Sequence, residues 1–336
     1  MWRRIRLSDS VRSDQRQSWR KVATVVSVVL FLSVAASCQI INPKSFERLQ
    51  LSQIPTSQPS FSLSYGTDRQ QSLDVYTPDG WNKNDSRPVI VHVHGGGWNG
   101  GQRADVSASM KTQLLRGWVV ISVDYRLAPR VRFPEPIRDI DRAIRFVRSQ
   151  VANLGIDPKQ LILSGHSAGG HLAMMQAMGN AQEVFVSPNL PPELAAQSSR
   201  PSGVVALGAP MDLNAWAMDG WEAIPNLLNL FLKCPSKETT TMNCSSERLA
   251  TASVNDLIDP SDPPMYLVHG VDDPIVGVEQ VFIISNLAVE QGMASKVKVD
   301  VVDSGPRYAR QHFPDMGLNL NALNSFLDVA ITGQMG

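Results

Sequence analysis

From Phe61 to Val329 short apolar runs alternate with longer segments in which apolar residues recur every three or four positions. The runs are Phe61–Tyr65, Ser72–Tyr76, Pro88–His94, Trp118–Tyr125, Gln160–Ser164, Gly203–Leu207, Met265–His269 and Lys296–Val302. Several are apolar at successive rather than alternate positions, as in strands covered on both faces. The periodic segments, Asp105–Arg116, Ile137–Asn153, Ser167–Met178, Val278–Gln291 and Asp315–Val329, read as helices. Such alternation predicts an α/β fold, with a mostly parallel central sheet of about eight strands and helices on both faces. The first two runs are too close together for a crossover, so the sheet is expected to begin antiparallel. One domain over residues 61–333 accounts for the whole pattern.

Two stretches break the rhythm. Residues 211–262 hold Trp216, Trp221, Pro225, two cysteines and a threonine run, with weak periodicity. They read either as an insertion forming a small partial cap or as an ordinary long crossover. At the other end, residues 1–21 carry seven Arg or Lys against two acidic groups, whereas Val22–Pro43 carries no charge. A basic segment, then an apolar one, then small residues is the layout of an export signal. Val34-Ala-Ala-Ser-Cys38 resembles the lipobox of bacterial lipoprotein signals, in which the cysteine is lipidated, although Ala35 stands where leucine is usual. An uncleaved membrane anchor or an ordinary signal is the competing reading of residues 1–37. Both place the domain outside the cytoplasm, in the cell envelope. Residues 38–60 then include a Ser-, Gln- and Pro-rich linker.

Composition adds limits. Lys and Arg total 31 and Asp and Glu total 31, so no basic surplus points to nucleic acid. Besides Cys38 the chain has Cys234 and Cys244, ten positions apart in a polar segment. In an oxidising compartment they form a disulfide closing a surface loop; two free thiols are the alternative.

The candidate chemistry sits at four strand ends. Gly165-His-Ser-Ala-Gly169 follows the run ending at Ser164 and opens a helical segment. A serine on so sharp a turn presents its hydroxyl, and the flanking glycines remove side chains that would clash. Ser167 therefore reads as a nucleophile. Upstream, His94-Gly-Gly-Gly-Trp98 closes another run, and three glycines let backbone N–H groups turn into a cavity. Acyl transfer needs such donors where negative charge builds on a carbonyl oxygen. Of the six histidines, His269 and His312 lie well beyond Ser167, in the chain order nucleophile, acid, base. His269 ends a strand and reads as structural; His312, after the last strand, reads as the base. The acid is Asp272 or Asp273 in the loop after Met265–His269, with Asp212 a more distant candidate. His92 and His94 alternate along a strand, but nothing near them completes a metal site. His171 reads as a packing or hydrogen-bonding residue.

Together, His94-Gly-Gly-Gly-Trp98, Val123-Asp-Tyr-Arg-Leu-Ala-Pro129, Gly165-His-Ser-Ala-Gly-Gly-His171, His269-Gly-Val-Asp-Asp-Pro274 and His312 resemble the α/β-hydrolase superfamily. Within it the chain is similar to the hormone-sensitive-lipase-like and acetyl-esterase or feruloyl-esterase-like carboxylesterases, over about residues 61–330. The resemblance implies Ser167 as nucleophile, Asp273 as acid and His312 as base, with the N–H groups of Gly96, Gly97 and Ala168 binding the oxyanion. It implies a small-molecule ester as substrate, with no cofactor and no metal. Arylformamidase-like amide hydrolysis and a non-catalytic binding role on the same scaffold are the alternatives. One departure is Arg130, where many relatives continue with Glu; altered local charge near the cap is expected there.

Overall fold

The computed structural model describes residues 58–179, 182–235, 241–303 and 312–333. The expected export segment 1–37, Cys38 and nearly all of the 38–60 linker lie outside them. Eight strands form one sheet: β1 Phe61–Ser64, β2 Ser72–Tyr76, β3 Arg87–Val93, β4 Val119–Val123, β5 Ile156–His166, β6 Gly203–Leu207, β7 Met265–Gly270 and β8 Val297–Val302. Their order is β1-β2-β4-β3-β5-β6-β7-β8. β1 and β2 pair antiparallel, β2 pairs antiparallel with β4, and every later pairing is parallel.

The continuous apolar runs follow from cover on both faces. Along β3, Val89, Val91 and Val93 point into one core and Ile90 into another. The first core receives helix α1 Glu135–Ser149 through Ile137, Ile140, Ile144 and Val147. It also receives helix α2 Ala168–Met178 and, further along the chain, the helix Glu279–Glu290 through Val281, Ile284 and Ala288. The second core is closed by the helix Leu320–Thr332, through Leu323, Phe326, Leu327 and Ala330. Each fully buried Val, Ile or Leu contributes about 1.5–3 kcal/mol of transfer free energy.

Two predicted helices are shortened. The segment expected at Asp105–Arg116 is helical only over Ala108–Lys111 and tightens to a 3₁₀ turn over Thr112–Arg116. There Thr112 Oγ1 and Gln113 Nε2 both donate to the Ser109 carbonyl, competing for an acceptor that a regular helix uses for its backbone. The last helix, expected from Asp315, begins at Leu320, where the Asn319 side chain accepts from the N–H groups of Asn321 and Ala322. β5 starts earlier than its apolar run, at Ile156, where it pairs with Arg87 before a register shift.

Residues 211–262 are not featureless. They contain the helices Leu213–Trp216, α3 Ile224–Leu232 and Ser246–Ala250. We number the two long C-terminal helices α4 (Glu279–Glu290) and α5 (Leu320–Thr332). The sulfurs of Cys234 and Cys244 stand 1.99 Å apart, just beyond α3. No helix among the described residues is long and apolar enough to cross a membrane.

Candidate active site

β5 ends at His166 and α2 begins at Ala168, which leaves Ser167 alone on the turn. Its φ of 53° is in the left-handed region, which costs a residue with a β-carbon about 1–3 kcal/mol. The turn is held by what its neighbours lack. A Cβ on Gly165 would lie 2.2 Å from the Gly169 carbonyl oxygen, and one on Gly169 would lie 2.2 Å from that of Val93. The Ser167 N–H donates to the Leu207 carbonyl at 2.8 Å, pinning the turn to the end of β6.

Two loops from other strand ends meet the serine. His312 Nε2 is 3.0 Å from Ser167 Oγ, and its Nδ1 is 2.8 Å from Asp273 Oδ2. A carboxylate only accepts, so Nδ1 carries the ring proton and Nε2 is left to accept from the hydroxyl. Asp273 Oδ1 accepts from the N–H groups of Ile275 and Val276, at 2.9 and 3.0 Å. Burial favours a neutral Asp273, yet the ring N–H groups of His269 and His312 outweigh it and hold the carboxyl well below the usual range. Asp272 is exposed. Asp212 caps the helix Leu213–Trp216, accepting from Ala215 N–H and from Asn255. Of the three candidate carboxylates, only Asp273 reaches His312.

Two further histidines support this pair. His269 is fully buried with Nε2 2.8 Å from the Val276 carbonyl and 3.5 Å from Asp273 Oδ2, so it backs that carboxylate. His166 Nε2 donates to the backbone carbonyl of His312 at 2.7 Å, and its ring stacks on Phe313. Burial first, then neighbouring His312, pushes the His166 pKa down to about 4, which keeps it neutral at physiological pH. The sequence marks His269 only as structural and says nothing of His166. His166 and His312 are 146 positions apart, and no local pattern couples them.

The glycine loop lies against the serine turn. A Cβ on Gly95 would stand 3.2 Å from Ser167 Cβ. Gly96 and Gly97 have φ of 112° and 59°, and a Cβ on Gly96 would lie 2.3 Å from the Gly100 carbonyl oxygen. Among the described residues, no protein acceptor takes up the N–H groups of Gly96, Gly97 or Ala168. His94 is occupied otherwise: it stacks on Tyr125 at 4.4 Å and its Nδ1 donates to the Gly95 carbonyl. His92 bonds Ser164 and Ser107. α3 rests on the loop, with Leu227 Cδ2 2.8 Å from the position a Gly97 Cβ would take.

The Asp124–Pro129 segment is structural support. Arg126 binds buried Asp139 of α1 through both Nε and Nη2, and Gln71 reaches the same carboxylate at 2.8 Å. Arg130, where the sequence suggested altered local charge near the cap, is engaged with a different loop. Its guanidinium pairs with Asp68 and Gln70, in the loop before β2.

Ser167, Asp273 and His312 thus follow the C-terminal ends of β5, β7 and β8, with the glycine loop after β3. The BD-FAE family profile matches residues 73–287, which includes the glycine loop, the serine turn and the acid loop. The chain belongs to the BD-FAE family. Among curated relatives it is 28% identical over 223 residues to the "Probable carboxylic ester hydrolase LipM" of Mycobacterium tuberculosis, covering 65% of this chain and 49% of that one. It is 25% identical over 271 residues to "Esterase LipQ" of the same organism, covering 80% of this chain and 61% of that one. The chain therefore spans half to three-fifths of the length of these relatives. A solved structure described as a truncated carbohydrate esterase from gut microbiota superposes with a TM-score of 0.67 at 22% identity, covering 82% of this chain and 98% of that one. At that identity the likeness speaks for the fold, which is that of the α/β-hydrolases.

Proposed function

We propose that this BD-FAE member is a serine carboxylic ester hydrolase acting on short-chain or carbohydrate-type esters. One observation carries the reading: Ser167 Oγ lies 3.0 Å from a histidine ring nitrogen whose other nitrogen is held 2.8 Å from a buried carboxylate. The curated relatives' names agree with it.

Ser167 Oγ attacks the ester carbonyl carbon as its proton passes to His312 Nε2. Asp273 stabilises the imidazolium so formed. The carbonyl oxygen takes the negative charge and lies among the N–H groups of Gly96, Gly97 and Ala168. Collapse of this intermediate breaks the bond to the alcohol, whose oxygen takes the proton from His312. Water then attacks the acyl-serine, giving its proton to His312; the acid leaves and the proton returns to Ser167.

Residues 211–262 act as a partial cap, a reading supported by the seating of Leu227 on Gly97. The chain is exported and held at the membrane through Cys38, and Cys234 and Cys244 form a disulfide there. The basic and uncharged N-terminal stretches support the export, and the pairing of the two cysteines supports the disulfide.

Purified Ser167→Ala is expected to lose more than about 10³-fold of kcat on p-nitrophenyl acetate and butyrate. Wild-type turnover in that variant overturns the assignment. Rates on N-formylkynurenine beside those on the esters separate ester from formamide hydrolysis.

A further inference from the structure

We propose that His171 is a positioning residue for the oxyanion loop, tying Trp98 to the 211–262 segment through both of its ring nitrogens. The inference rests on the serine hydrolase reading and adds a role for that segment within it.

Trp98 immediately follows Gly96 and Gly97, whose N–H groups find no protein acceptor among the described residues. It is fully buried with a φ of 60°, a backbone state suited to glycine and not to tryptophan. Three consecutive residues, Gly96, Gly97 and Trp98, therefore hold positive φ, and only the last has a side chain to anchor them. That anchor is complete. The indole stacks on Phe231 of α3 at 4.4 Å and 10°, and meets Trp216 edge-on at 5.9 Å. Its Nε1–H donates to His171 Nδ1 at 3.2 Å.

His171 has no other role in the site, yet it is fully buried and both nitrogens are engaged. Nε2 lies 2.7 Å from the Ala252 carbonyl, an acceptor only, so Nε2 carries the proton and Nδ1 is free to accept from the indole. Protonation would set N–H against N–H; burial works against it, pushing the His171 pKa down to about 4. The chain of bonds runs from the loop at Trp98, through α2 at His171, to Ala252 in the 211–262 segment. A buried indole N–H without an acceptor is costly, so removing His171 favours another Trp98 conformation and displaces the adjoining donors.

The test uses the full chain with p-nitrophenyl acetate. His171→Leu fills the site with an apolar side chain and removes both bonds; kcat should fall about tenfold or more, with KM within about twofold. His171→Gln can accept from the indole and donate to Ala252 O at once, and should return kcat to within about threefold of wild type. Trp98→Phe removes the donor together with part of the indole surface; it should be at least as slow as His171→Leu, and the double substitution should be no slower than Trp98→Phe alone. Wild-type kcat in His171→Leu, a Gln variant as slow as Leu, or a loss confined to KM overturns the proposal. If His171→Leu does not fold, wild-type kcat in Trp98→Phe overturns the proposal, and a slow Trp98→Phe beside a near-wild-type His171→Gln supports it. Turnover in Ser167→Ala would sink the hydrolase reading; a dead Ser167→Ala beside an unimpaired His171→Leu sinks only this inference.

Discussion

Asp272 and Asp273 are neighbours of one residue type, and spacing alone does not separate them. The turn after β7 does: it exposes the first and buries the second between His312, His269 and two backbone N–H groups. Asp273→Asn puts an amide beside His312 Nδ1 that can donate to it and stabilise the wrong tautomer. A loss of about 10⁴-fold in kcat is expected, as for other triads of this kind. Asp272→Asn should retain wild-type kcat, and steady-state kinetics on both variants checks the pair. The sharp turn at Ser167, by contrast, left a mark in the sequence, because the steric need at 165 and 169 is local and leaves a fixed spacing.

Strands were read well where two faces of cover demand an unbroken apolar run, as in β6, and poorly where polar residues extend them, as in β5 from Ile156. Helix ends were lost to side chains that take backbone partners, Thr112, Gln113 and Asn319 among them. The weakly periodic 211–262 segment hid three short helices, since each buries only a few residues against other parts of the chain. The turn that leads from it into β7 holds a pH-dependent element. Burial, then nearby Asp259, pushes Asp262 up to about 7, while its Oδ2 accepts from Asp259 N–H at 2.8 Å. A folded pKa above the unfolded value of about 3.9 means stability present below about pH 4 and lost as pH rises to 7. Asp262→Asn keeps the acceptor and cannot ionise. Its Tm advantage over wild type should widen by roughly 3 °C or more from pH 5 to pH 8, measured by thermal unfolding at each pH. A constant gap would show that the carboxyl ionises alike in both states.

For the whole molecule the expectation is an envelope enzyme with its domain on a tether. Full-length protein should sediment with membranes after cell lysis, and Cys38→Ala should move into the soluble fraction if lipidation is the anchor. A variant still in the pellet points to residues 1–37 as an uncleaved span. The sequence by itself determined the α/β alternation, the serine turn, the glycine loop and the chain order of Ser167, the Asp272–Asp273 pair and His312. Each of these is a local steric or periodic requirement that leaves its mark within a few residues. Only the tertiary structure decided which carboxylate meets His312, that His166 holds the His312 carbonyl and His269 backs Asp273, and that Trp98 is tied through His171 to Ala252. Most of these partners come from separate strand ends far apart in the chain, and hydrogen bonds between such segments are set by how the sheet and its loops pack, which no run of neighbouring residues records.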